Sequence, residues 1–76
     1  MNKRRRKDIQ EAIDHLEKAS DLVQQSIDGE QEAFDNLPEQ FQWSERGEAM
    51  EDAISRMGDA LCIIDDALQA TSDILN

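Results

Sequence analysis

Apolar positions recur with a seven-residue period in both halves of the chain, and both halves can be written in one a–g frame. In the C-terminal half, row a is Met50, Met57, Ile64 and Thr71, row d is Ala53, Ala60, Ala67 and Ile74, and row e is Ile54, Leu61, Leu68 and Leu75. Eleven of those twelve places are apolar. In the N-terminal half, row a is Ile9, Leu16, Val23 and Glu30, row d is Ala12, Ala19, Ser26 and Ala33, and row e is Ile13, Ser20, Ile27 and Phe34. No segment alternates apolar and polar residues, so strands are not expected.

The pattern predicts an all-α chain of two long helices. The second spans residues 44–75, with Ser44 as N-cap and Glu45 and Glu48 suited to the positive end of its dipole. Gly58 lies inside it, off the apolar face. The first spans residues 8–35, and its register would allow an extension back to Lys3. Glu30 interrupts row a, and Gly29 marks a plausible kink or stop. Between them lies a connection, residues 36–43. Pro38 cannot continue a helix and disfavours helical backbone at Leu37, although proline can open a new turn. Phe34, Phe41 and Trp43, all the aromatics of the protein, sit in or beside this segment. They are expected to plug the open end of the helix pair, the alternative being an aromatic recognition patch.

A short connection implies an antiparallel two-helix hairpin. Alanine and serine dominate row d in both helices, which predicts a closely approached seam along that row. Leu22 and Ile63 fall at g and, with row e, widen the apolar stripe beyond what one seam can cover. A homodimer that completes a four-helix bundle is therefore expected, with Leu22, Ile63, Ile54, Leu61 and Leu68 at the interface between copies.

Size sharpens that expectation. Seventy-six residues form one marginal domain. Cys62 is the only cysteine, so no disulfide can staple the fold. No apolar run is long enough for a signal peptide or a membrane span, and a soluble, cytoplasmic protein is expected.

Charge changes the functional picture more than the structural one. Eighteen acids face eight bases, a formal net charge of −10. Five of the bases (Lys3, Arg4, Arg5, Arg6 and Lys7) form a basic N-terminal arm, residues 1–7, leaving three bases among all eighteen acids in the rest. Such a body repels nucleic acid and anionic membrane and suits a basic protein partner; nucleic acid could be met only through the arm. In the second helix Glu51, Asp52, Asp59, Asp65, Asp66 and Asp73 occupy b and c and form an acidic ridge. Asp14, Asp21, Asp28 and Asp35 repeat at f in the first. The ridge is either a solubilising face or a mimic of a nucleic-acid backbone that docks into a basic groove.

Nothing in the chain forms a catalytic, cofactor or metal motif, and no enzyme activity, cofactor or metal is expected. His15, the only histidine, has Ala12 where a Glu-x-x-His ligand pair would need a carboxylate. Cys62 falls at f beside Asp59, Asp65 and Asp66, whereas a nucleophilic thiol needs a base or a positive setting.

The stretch Glu32–Ile54 carries Phe34, Asp35, Asn36, Leu37, Pro38, Glu39, Ser44, Glu45 and Arg46, with Ala53 and Ile54 opening the alanine–isoleucine repeat. This resembles a recurrent stretch in short, largely uncharacterised helical proteins of bacteria and their phages: an aromatic, then DN, leucine or isoleucine, PE, a polar stretch, SER and an acidic helix. The resemblance implies a helical hairpin and a bacterial or phage setting, and brings no functional residues. The expected function is a non-enzymatic acidic interaction module, in its most specific form a phage-encoded inhibitor that acts in the host cytoplasm on a basic, nucleic-acid-handling defence protein. The alternatives are an accessory protein that contacts nucleic acid through the KRRRK arm, and a small oligomeric structural or ligand-sequestering protein.

Overall fold

In the computed structural model, which describes residues 1–76, the chain is all-helical: α1 (Lys3–Asp35), α2 (Glu39–Gln42) and α3 (Glu45–Leu75). The basic segment is thus the opening of α1, not a separate arm that ends before a helix at residue 8. Asn2 makes this start workable, because its side chain accepts a hydrogen bond from Arg5 N at 2.8 Å. The helix also passes through Gly29 without stopping and ends at Asp35.

The end of α1 is built by local hydrogen bonds. Asn36 N donates to Glu32 O at 3.0 Å and Leu37 N to Phe34 O at 3.1 Å. Pro38, extended at ψ 143°, caps the single turn of α2. Gln42 then folds its side chain back, with Nε2 donating to Phe34 O at 3.3 Å and to Leu37 O at 3.2 Å. These bonds tie the connection back to the last turn of α1 and give the Leu37 carbonyl a partner. Ser44 caps α3 as its sequence position predicts, accepting from Gly47 N at 3.5 Å.

α1 and α3 lie side by side and run in opposite directions. Arg6, near the start of α1, reaches Leu75 O at 3.3 Å. Ser20 Oγ, mid-helix, donates to Asp65 Oδ1 at 3.1 Å. The pair forms a rod, 59 × 15 × 14 Å in Cα extent, with a radius of gyration of 17.2 Å. A compact chain of this length would have about 11 Å.

Rows a and e of both helices face each other. In α1 the seam takes Ile9, Ile13, Leu16, Ser20, Val23, Ile27, Glu30 and Phe34, and in α3 Met50, Ile54, Met57, Leu61, Ile64, Leu68, Thr71 and Leu75. Thr71 fits there because its hydroxyl donates to Ala67 O at 2.6 Å. The small-residue d rows do not form the seam as their composition suggested; they flank it. Ser26, Ala33, Ala60 and Ile74 are exposed, while Ala12, Ala19, Ala53 and Ala67 are half-buried. The reason is volume. Two helices bury more apolar area by interlocking Leu, Ile and Met than by pressing alanines together. Ile54, Leu61 and Leu68, expected between copies, are accordingly half-buried inside the α1–α3 seam.

Gly47 is one of only two buried residues, with Ile13. A Cβ there would lie 2.2 Å from Gln42 O and 2.6 Å from Gln42 C, so α2 can fold over the first turn of α3 only above a glycine. At Gly58 an added Cβ meets nothing within 4 Å. Opposite outcomes follow for one substitution. Gly58→Ala should raise the thermal midpoint by about 6 °C, from about 1 kcal/mol of helix propensity. Gly47→Ala should lower it by roughly 10 °C, because overpacking against backbone outweighs propensity. Thermal circular dichroism reads both, and a stabilised Gly47→Ala would refute the packing of α2 on α3.

Candidate interaction surfaces

With rows a and e committed to the seam, the outer surface is divided by the remaining rows. All eighteen acids except Glu30 are exposed. The six ridge residues Glu51, Asp52, Asp59, Asp65, Asp66 and Asp73 line α3 at b and c. Asp52 meets Arg56 Nε at 2.9 Å, with both side chains well exposed. Such a pair contributes little. Asp65 accepts the Ser20 hydroxyl across the seam. Glu51, Asp59 and Asp66 meet no cation within ion-pair distance.

The carboxylates are partly pre-oriented. Gln10, Gln24 and Gln31 donate to Asp14, Asp28 and Asp35 at 3.2, 3.0 and 3.0 Å, and Gln69 donates to Asp73 at 2.9 Å. Each glutamine precedes its aspartate by four residues, the spacing that places two side chains together on a helix. Three members of the f row are held in this way, and Asp73 of the ridge with them.

Rows d and g have a different chemistry. Past Arg5 and Asp8 in the opening turns of α1 they read Ala12, His15, Ala19, Leu22, Ser26, Gly29 and Ala33. Past Arg46 in the first turn of α3 they read Ala49, Ala53, Arg56, Ala60, Ile63, Ala67, Ala70 and Ile74. From Ala12 and from Ala49 onward none is an acid. Because the helices are antiparallel and share the a/e seam, both d rows fall on the same side of the rod, with the g rows outside them. Ser20 lies level with Asp65. Leu22 and Ile63, two residues on from one and two back from the other, therefore also lie level, one at each edge of this face. They are exposed at 49% and 69%. Of the expected interface residues, these two alone are free of the seam. This acid-free stretch was legible as an absence of Asp and Glu at d and g between Ala12 and Ala33 and between Ala49 and Ile74, a signal that counting only apolar residues passes over.

At the tip, Phe34 is half-buried under the connection, but Trp43 is 80% and Phe41 49% exposed. The three aromatics do not together plug the end. Phe34, Gln42, Trp43 and Glu51 line an open cleft of about 140 Å³ instead. Gln42 and Gly47, which shape this end, went unnoticed in the sequence because their roles depend on how the connection folds back.

At the opposite end, Lys3, Arg4, Arg5, Arg6 and Lys7 are exposed on the opening turns of α1. They oppose that helix's own dipole, yet they lie beside the negative end of α3, where Arg6 bonds the Leu75 carbonyl. His15 Nε2 stands 3.8 Å from Glu11, both exposed, and Cys62 is exposed on α3. No three His, Cys, Asp or Glu side chains are gathered in a metal-holding group.

With so many unpaired carboxylates, like-charge repulsion opposes the fold. Raising NaCl from about 0.02 to 0.5 M shrinks the screening length several-fold and should raise the thermal midpoint by a few degrees. A midpoint that falls with salt would mean that ion pairs dominate. No protein-family model, curated protein or solved structure matches the chain.

Proposed function

We propose that the protein is a non-enzymatic interaction module that binds a basic protein partner through its acidic outer surface, in the form of two helical hairpins joined as a four-helix bundle. The observation that carries this reading is the concentration of acids at b, c and f along the two helices, Asp8 and Glu30 apart, with glutamines orienting several of them. Asp14, Asp21, Asp28 and Asp35 stand about 10 Å apart at 1.5 Å per residue. A surface of this kind presents fixed negative charge along a rod, the arrangement that a nucleic-acid-binding groove is built to accept. Together with the resemblance of Glu32–Ile54 to bacterial and phage helical proteins, it favours a phage-encoded inhibitor of a nucleic-acid-handling host protein, acting in the host cytoplasm. No helix is long and apolar enough to cross a membrane.

A second reading has one specific observation in its favour. Lys3, Arg4, Arg5 and Lys7 are exposed with no carboxylate within ion-pair distance, so they are available to a polyanion. In that reading the protein is a nucleic-acid accessory factor.

One experiment separates the two. Recovery of a basic protein from bacterial lysate by the tagged chain, with and without nuclease, is compared for wild type, a ridge reversal (Glu51, Asp52, Asp59, Asp66 and Asp73 to Lys) and a deletion of residues 3–7. Asp65 is spared because it bonds Ser20. The acidic-module reading expects nuclease-resistant recovery that the reversal reduces at least tenfold and the deletion leaves intact. Recovery that persists after reversal, in a variant still helical by circular dichroism, would sink it. Recovery lost to nuclease and to the deletion selects the accessory factor.

A further inference from the structure

We infer that the acid-free d/g face is the docking site for a second copy of this chain, with the two rods packed face to face and antiparallel. The inference rests on the proposed bundle and specifies its interface. Three independent observations lead to a second copy as the occupant.

The first is area. The protein exposes 5818 Å², against about 4,700 Å² for a compact monomer of its mass. From Ala12 to Ala33 the face runs about 32 Å, and the rod is 15 Å across. That is on the order of 500 Å² per copy, or about 1,000 Å² for a symmetric pair, which reaches the size of a specific interface. The excess exposure and the area available to cover are of the same order.

The second is shape. Alanine and serine in the middle rows leave a shallow trough, and Leu22 and Ile63 rise at its two edges near the midpoint of the rod. A two-fold axis through that midpoint, perpendicular to the rods, sets each copy's Leu22 against the other's Leu22 and each Ile63 against the other's Ile63, an apolar contact of like on like at both edges of the face.

The third is charge. Each chain carries −10, while between Ala12 and Ala33 on α1 and between Ala49 and Ile74 on α3 this face holds only His15 and Arg56 among ionisable groups. Orientation follows from the ends. One end of the rod carries Lys3, Arg4, Arg5, Arg6 and Lys7; the other carries Glu39, Glu45, Glu48 and Glu51, with Arg46 its one cation. Antiparallel packing sets each basic end beside the partner's acidic end. Parallel packing would stack five cations on five.

Sedimentation and cross-linking test this. Wild type should sediment at twice the 8.7 kDa chain mass, and Leu22→Asp and Ile63→Asp should each sediment at the single mass while remaining helical. In a Cys62→Ser background, Ile63→Cys, level with the axis, should form a disulfide-linked dimer on oxidation. Ala33→Cys, roughly 30 Å from its counterpart in the antiparallel arrangement, should not. A wild-type monomer at its highest soluble concentration, or aspartate variants that keep the doubled mass, would overturn the interface. Efficient linking through Ala33→Cys would overturn the orientation. The ridge reversal should leave the doubled mass unchanged, so loss of partner binding and loss of the dimer are read separately.

Discussion

The fold depends on one strip of contact, the interlock of rows a and e between α1 and α3. A 76-residue chain without a disulfide has no second core to draw on. Along this strip even the large aliphatics are mostly half-buried, and Ile13 alone is buried among them. Everything else in the molecule is arranged around keeping the two helices in register. Asn2 and Ser44 start them, Gln42 ties the end of α1 to the connection, and Gly47 lets the connection lie flat on α3. Arg6 closes the far end on the last turn of α3.

That constraint also explains how the surface is organised. A seam two rows wide leaves five rows outside, and their residues are not mixed. Acids take b, c and f, where they stay in water and away from the seam. Small and aliphatic residues take d and g. The exceptions are Asp8, exposed at g in the opening turns of α1, and Glu30 at a, half-buried near the tip end of α1. A rod with one neutral face and an otherwise anionic surface can approach its own copy in few ways, whereas a basic partner can approach it from most sides. The proposed self-association surface and the proposed partner surface therefore do not overlap.

Much of this was legible in the sequence, and the misreadings have physical causes. Two long helices, the Ser44 cap and the break at Pro38 follow from periodicity and local chemistry, and each is observed. Which two of the three apolar rows would meet was not legible from hydrophobicity alone, because alanine is compatible with a tight seam and with its margin. Side-chain volume decides it, since Met57, Leu61, Ile64 and Leu68 bury more by interlocking than Ala53, Ala60 and Ala67 can. The start of α1 at Lys3 was obscured by five cations that oppose their own helix's dipole; the neighbouring end of α3 offsets them, and that proximity exists only in the tertiary structure. Trp43 was expected to cover the tip. It stands open because Phe34 and the Gln42 hydrogen bonds already close the end of α1.

The central claim is that the α1–α3 seam is only part of the stabilising contact and that a second copy supplies the rest. The most direct measurement is the thermal midpoint of the wild-type chain as a function of its own concentration. A fold completed by its copy gains about 2.7 kcal/mol of mass-action stabilisation over a hundredfold rise in concentration, so the midpoint should climb by several degrees. A midpoint that is unchanged over that range, with full helicity at the dilute end, would contradict the claim.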